Sequence, residues 1–152
     1  MSPDEIHDKG ADKMIKSFKC ERDPNGMNYI DVFIVKDGVE HTFRTLVRTG
    51  STHTIFNAKE LNVDISGLKK TEAEVGWETI DVYEVGIDSI AIGSRDEGRI
   101  EGVDHIYVSE LEGFKKNPLL GCDFLHYMKF EHNPHEGMIL ELDGLDFGKK
   151  DE

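Results

Sequence analysis

Arg48-Thr49-Gly50-Ser51 forms a small polar break between two apolar, β-prone runs, Phe43 to Val47 and Thr54-Ile55-Phe56. Small residues let two backbones approach closely, so the pattern predicts a strand folding back on itself around a tip at Arg48-Thr49-Gly50. Arg48 sets the chemistry of that tip. A guanidinium keeps its proton throughout the accessible pH range and offers five donors and no acceptor, so it cannot take a proton from water. What it does well is grip a carboxylate or phosphate through its two-pronged fork. The plainer reading is a loop arginine facing solvent or a neighbouring acid.

Other groups carry weaker signals. Asp123 is a candidate acid, or a cap for the helical turn that follows it. Ser51 and His53, two apart on an extended segment, suggest with Asp104 and His105 a Ser-His-Asp arrangement, but no oxyanion loop is evident. Glu131, His132, His135 and Glu136 surround Pro134 without the helical spacing or cysteine partners of a zinc site, so the cluster reads as a solvated turn. No metal or cofactor is expected. Cys122 reads as a small buried hydrophobe. Trp77, at a hairpin tip, either stacks on a ligand or covers the barrel mouth.

Composition bounds what these groups can serve. The 152 residues are enough for one domain with a real core. The net charge of −13 gives a negative surface field that opposes phosphate backbones and anionic membranes, so neither nucleic acid nor membrane is expected as a partner. No run approaches the roughly 20 apolar residues of a membrane span, and Met1-Ser2-Pro3-Asp4-Glu5 lacks a signal pattern, which points to the cytoplasm. Cys20 and Cys122 have no framework spacing and read as reduced thiols.

The elements that position the tip follow from the patterning. Residues 1–28 read as a polar N-terminal arm, with one amphipathic piece at Met14-Ile15-Lys16-Ser17-Phe18. From Tyr29, Ile30, Val32 and Ile34 alternate with Asp31, Phe33 and Val35. Asp37-Gly38 then turns the chain into a second strand ending at Val47, a β-hairpin signal. Asn57 caps a helical turn through Leu61, residues 62–73 read as a loop, and Ile80 and Val82 mark a strand entered from a tip at Gly76. Strands follow at Asp88 to Gly93 and His105 to Val108. Leu119-Leu120 is a buried strand end, Asp123 opens a short helix, and Lys129-Phe130-Glu131 with Met138 to Leu142 close a hairpin. The tail 143–152 reads as mobile. Short strands with Gly-bearing turns argue an all-β barrel or sandwich.

Three features in this order resemble the retropepsin-like aspartic proteases across residues 29–142. They are the loop at Arg48-Thr49-Gly50-Ser51, the hairpin tip Val75-Gly76-Trp77, and Leu119-Leu120-Gly121-Cys122-Asp123-Phe124-Leu125, which looks like the family's Leu-Leu-Gly-x-Asp-Phe-Leu run. The resemblance implies an all-β, single-domain closed barrel with a flap hairpin and a short C-terminal helix. It implies a homodimer in which each subunit gives one Asp to a proton-sharing pair that activates water against an extended peptide or protein substrate. On that pattern Thr49 and Gly50 build the cradle, and Ser51, Val75, Gly76 and Trp77 contact substrate. Leu120, Gly121 and Asp123 support from below, while Arg48 stands where the family has its catalytic Asp. The expectation is an aspartic endopeptidase inactivated by Arg48, naturally or by engineering, or a pseudo-protease that binds peptides or partners without cutting.

Overall fold

The computed structural model describes residues 16–133 and 137–142. Residues 1–15 of the expected arm 1–28, the tail 143–152 and the tip of the His-rich turn lie outside the described residues.

The strands that frame the loop follow from alternation. In β3 (Asn28–Lys36), Ile30, Val32 and Ile34 are buried and Asp31 is exposed, so a one-residue slip against β4 (Val39–Val47) would turn the buried face to water. The turn between them sits at Asp37-Gly38, both with positive φ, and pairing runs from Lys36↔Val39 to Tyr29↔Leu46. After the loop, β5 (Ile55–Asn57) is wholly buried. Ile55 and Phe56 are inaccessible to solvent, and each contributes on the order of 2 kcal/mol by burial. Asn57 Oδ1 accepts from the amides of Lys59 and Glu60, capping a 3-10 turn at Lys59–Leu61.

The flap hairpin is β6 (Lys70–Val75) and β7 (Glu78–Gly86), joined by the two-residue turn Gly76-Trp77. Residues 70–73, expected as loop, are strand: Lys70, Glu72 and Glu74 face water and only Ala73 is fully buried, so the alternation carries almost no apolar signal. Then come β8 (Ser89–Ile92), β9 (Arg99–Ile100), β10 (His105–Ser109), a helical turn α1 (Gly113–Lys116), β11 (Leu119–Leu120) and α2 (Cys122–Leu125).

Two of the expectations need correction. The sheet is open, not a closed barrel: its order runs β6-β7-β10-β5-β11-β4-β3-β8-β9 and ends at β6 and β9 without joining them. The chain also does not pair with itself around the loop. β4 and β5 run in opposite directions, but β11 lies between them, parallel to β4 and antiparallel to β5. A two-residue strand, Leu119-Leu120, from far downstream in the chain fills the fold-back, which no local pattern can announce.

Residues 16–22 also form strands. β1 (Lys16–Lys19) pairs with β13 (Gly137–Leu142), which pairs with β12 (Lys129–Asn133), while β2 (Glu21–Arg22) adds to β3. The main core gathers Val32, Ile34, Phe56, Ile92, Val108 and Leu120, with a smaller cluster around Leu46, Ile55 and Val82. Among the described residues no helix is long and apolar enough to cross a membrane.

Candidate functional site

The loop 48–54 is built on the end of β11. The Arg48 amide donates to Leu120 O at 3.0 Å, and the Cys122 amide to Ser51 O at 2.8 Å, so the loop is pinned on both sides of its tip. Gly121 sits at the crossing. A Cβ there would lie 2.3 Å from His53 O and 2.8 Å from Ser51 O, both backbone atoms, so only hydrogen fits.

Thr54 and Asp123 lock the crossing. Thr54 donates its amide to Asp123 Oδ2 at 2.9 Å and its hydroxyl to Asp123 Oδ1 at 2.6 Å, and Thr54 Oγ1 accepts from the Gly121 amide at 2.9 Å. Asp123 is therefore not the expected helix cap: it lies inside α2, after Gly121 at the cap position, and its carboxylate reaches across to the loop. Burial pushes the Asp123 carboxyl above its ordinary value, against the opposing pull of Thr54 and of nearby His53.

Arg48 is half-buried at the tip and turns toward the flap. Its Nη2 lies 3.0 Å from where a Cβ on Gly76 would be, and its Nε 3.8 Å from the same point on Gly50. Gly76 has φ +62 at the first turn position, a conformation costly for any residue with a Cβ. The flap is docked directly: the Gly76 amide donates to Gly50 O at 3.0 Å, the Thr52 amide to Glu74 O at 2.9 Å, and the Glu74 amide to Thr52 Oγ1 at 2.9 Å. Ser51 and Val75 form an antiparallel bridge at the centre of this contact.

The structure thus brings Arg48, Gly50, Ser51, Val75 and Gly76 together, with Leu120, Gly121 and Asp123 beneath. Thr49 is exposed, and Trp77 is fully exposed. Ser51 is buried, its hydroxyl donating to His53 O at 2.7 Å, so its side chain serves the loop. That bond, with His53 Nδ1 against Thr52 Oγ1 at 2.8 Å and Asp104 against His105 at 2.9 Å, leaves no Ser-His-Asp relay. Cys122 is half-exposed and donates its thiol to Thr49 O at 3.1 Å, which corrects its reading as a buried hydrophobe. Beyond Asp123 a cavity of about 310 Å³ opens between His53, His105, Tyr107 and Phe124. Among the described residues no cluster of three metal-ligating side chains occurs.

Sequence reasoning missed Thr52, Thr54 and Glu74. The Thr-x-Thr spacing was visible, since residues two apart on an extended segment face the same side, but their partners lie 22 and 69 residues away.

No family model matches the sequence, and no curated protein does. Among solved structures, the chain is similar to a retropepsin-like aspartic protease from Rickettsia conorii. The TM-score is 0.53 at 21% identity, covering 84% of this chain and 92% of that one. At that identity the likeness speaks for architecture and not for chemistry. The chain has a retropepsin-like fold, with an arginine at the tip of its fold-back loop.

Proposed function

We propose that this chain is an aspartic-peptidase scaffold without its acid, which holds an extended peptide or protein segment between flap and cradle and does not hydrolyse it. The observation that carries this reading is Arg48 at the loop tip, facing the flap, with Asp123 committed to Thr54. Amide hydrolysis of this class needs two close carboxyls, one ionised as base and one protonated as acid. A guanidinium can play neither part. The cradle keeps the tight crossing at Gly121 that positions a tip residue, which supports descent from a hydrolytic form.

The same reading makes the chain a homodimer weakened at Arg48. Two guanidinium groups about 4 Å apart across a two-fold axis repel by roughly 4 kcal/mol at an effective dielectric of about 20. The arginines must splay or share an anion. An acidic surface and two free cysteines support a cytoplasmic setting.

Replacing Arg48 with Asp tests both parts. We expect the chain with Arg48 to be silent on unfolded protein substrates from acid to neutral pH, and R48D to form a tighter dimer by gel filtration at low salt. Pepstatin-sensitive cleavage by R48D establishes that only the acid is missing, whereas a folded, silent R48D dimer makes the domain a binder in its own right. Cleavage by the chain with Arg48 that is lost in Arg48→Gln overturns the proposal.

A further inference from the structure

We propose that the flap occupies the cradle's peptide-binding edge as an internal stand-in strand, and that an extended peptide placing one carboxylate at Arg48 displaces it. This rests on the peptide-binding reading above and says what kind of peptide the site takes.

Gly50 presents a carbonyl and Thr52 an amide toward the flap, while Ser51 between them turns its side chain inward. An acceptor and a donor two residues apart on one side is the pattern of a strand edge, the surface to which an extended peptide adds through its backbone. Both groups are already taken, by the Gly76 amide and the Glu74 carbonyl. The flap therefore makes the backbone bonds that an incoming peptide needs, and the two cannot hold them at once.

What the flap does not supply is anything for Arg48. The residue that abuts the guanidinium is Gly76, which has no side chain. Among the described residues Arg48 has no ion-pair or side-chain hydrogen-bond partner, in a chain that carries 31 acidic residues. Its fork is half-buried beside the edge and open to a carboxylate, the group it binds through two parallel bonds. The overall charge of −13 disfavours an acidic peptide at long range, so the fitting ligand is neutral or basic overall with a single acid at Arg48. The flap is removable because its tip is anchored by a few hydrogen bonds to Gly50 and Thr52 and by the half-buried Val75, while Glu74, Gly76, Trp77, Glu78 and Thr79 are all exposed.

The test uses the full chain and two end-blocked, fluorescein-labelled β-prone peptides of basic net charge, one with a central Glu and one with Gln in its place. Anisotropy should show the Glu peptide binding about tenfold tighter, and Arg48→Gln should erase that preference. Amide exchange gives a second signature. In the complex the Gly76 and Glu74 amides should lose protection while the Thr52 amide keeps it, because the peptide takes over that bond. Gly76→Val, which strains φ and crowds Arg48, should open the flap and tighten both peptides. Binding with all three amides still protected, or with no preference for Glu, overturns this inference and leaves peptide binding standing. Failure of both peptides on both the parent chain and G76V overturns the two together.

Discussion

The crossing beneath the loop and the flap above it meet at the same few residues yet are held in opposite ways. At the crossing, Thr54, Gly121 and Asp123 exchange three hydrogen bonds, with Thr54 and Gly121 buried, Asp123 partly so, and Leu120 and Phe124 also buried. At the flap tip, hydrogen bonds to Gly50 and Thr52 hold a hairpin end whose side chains, Val75 apart, face solvent. Buried, fully satisfied polar networks specify one geometry, whereas segments with few buried apolar contacts open at low cost. On the inference above, the cradle is the fixed part and the flap the movable one, joined through an arginine that belongs to the first and faces the second.

The most severe way to break this contrast is Gly121→Ala. The added methyl would meet the His53 carbonyl at 2.3 Å, and neither strand can retreat without breaking the Thr54 bonds. We expect a loss of about 3 kcal/mol in global stability by denaturant titration. A loss under about 0.5 kcal/mol, the level of an ordinary surface change, would mean the crossing has slack and is no more rigid than the flap.

Asp123→Asn cuts less deeply and carries a pH signature. Asn presents one acceptor to two donors from Thr54, leaving one unpaired at a cost of about 1–3 kcal/mol. The folded Asp123 carboxyl titrates above its ordinary value because burial outweighs its hydrogen bonds. The unfolded chain therefore releases this proton first, and the contribution of Asp123 is greatest below the ordinary carboxylate range and declines as pH rises through the raised value. The stability advantage of the parent chain over D123N should narrow from acid to neutral pH. An advantage that widens would show that the Thr54 donors outweigh burial.

These effects also mark where sequence stops being informative. The β3–β4 hairpin was legible because alternation and Asp37-Gly38 are local. The tips at Arg48 and Gly76-Trp77 were legible as breaks in patterned runs. That β11 would slide between β4 and β5 depends on pairs such as Leu119↔Leu46 and Leu119↔Ile55, and that Asp123 would serve Thr54 depends on a pair 69 residues apart, with nothing local to separate that role from helix capping. β6 was missed because a strand with one face in water and only Ala73 fully buried has almost no hydrophobic period. Closure of the barrel was an inference from family shape, and the sheet's two free ends are a global property.

Trp77→Ala should move stability least and so sharpen the comparison most. The indole is as exposed as in an extended chain, at 103% relative accessibility, so its removal should shift the denaturation midpoint, followed by circular dichroism, by no more than about 0.5 kcal/mol. A large aromatic in water at a hairpin tip does nothing for the fold, but a peptide lying against the flap would give the ring a face to cover. Aromatic contacts of that kind are worth on the order of 1 kcal/mol, so the same variant should bind the peptide several-fold more weakly. Unchanged affinity would remove Trp77 from the ligand contact, and a large drop in stability would show that the flap is built into the core and cannot be the movable part.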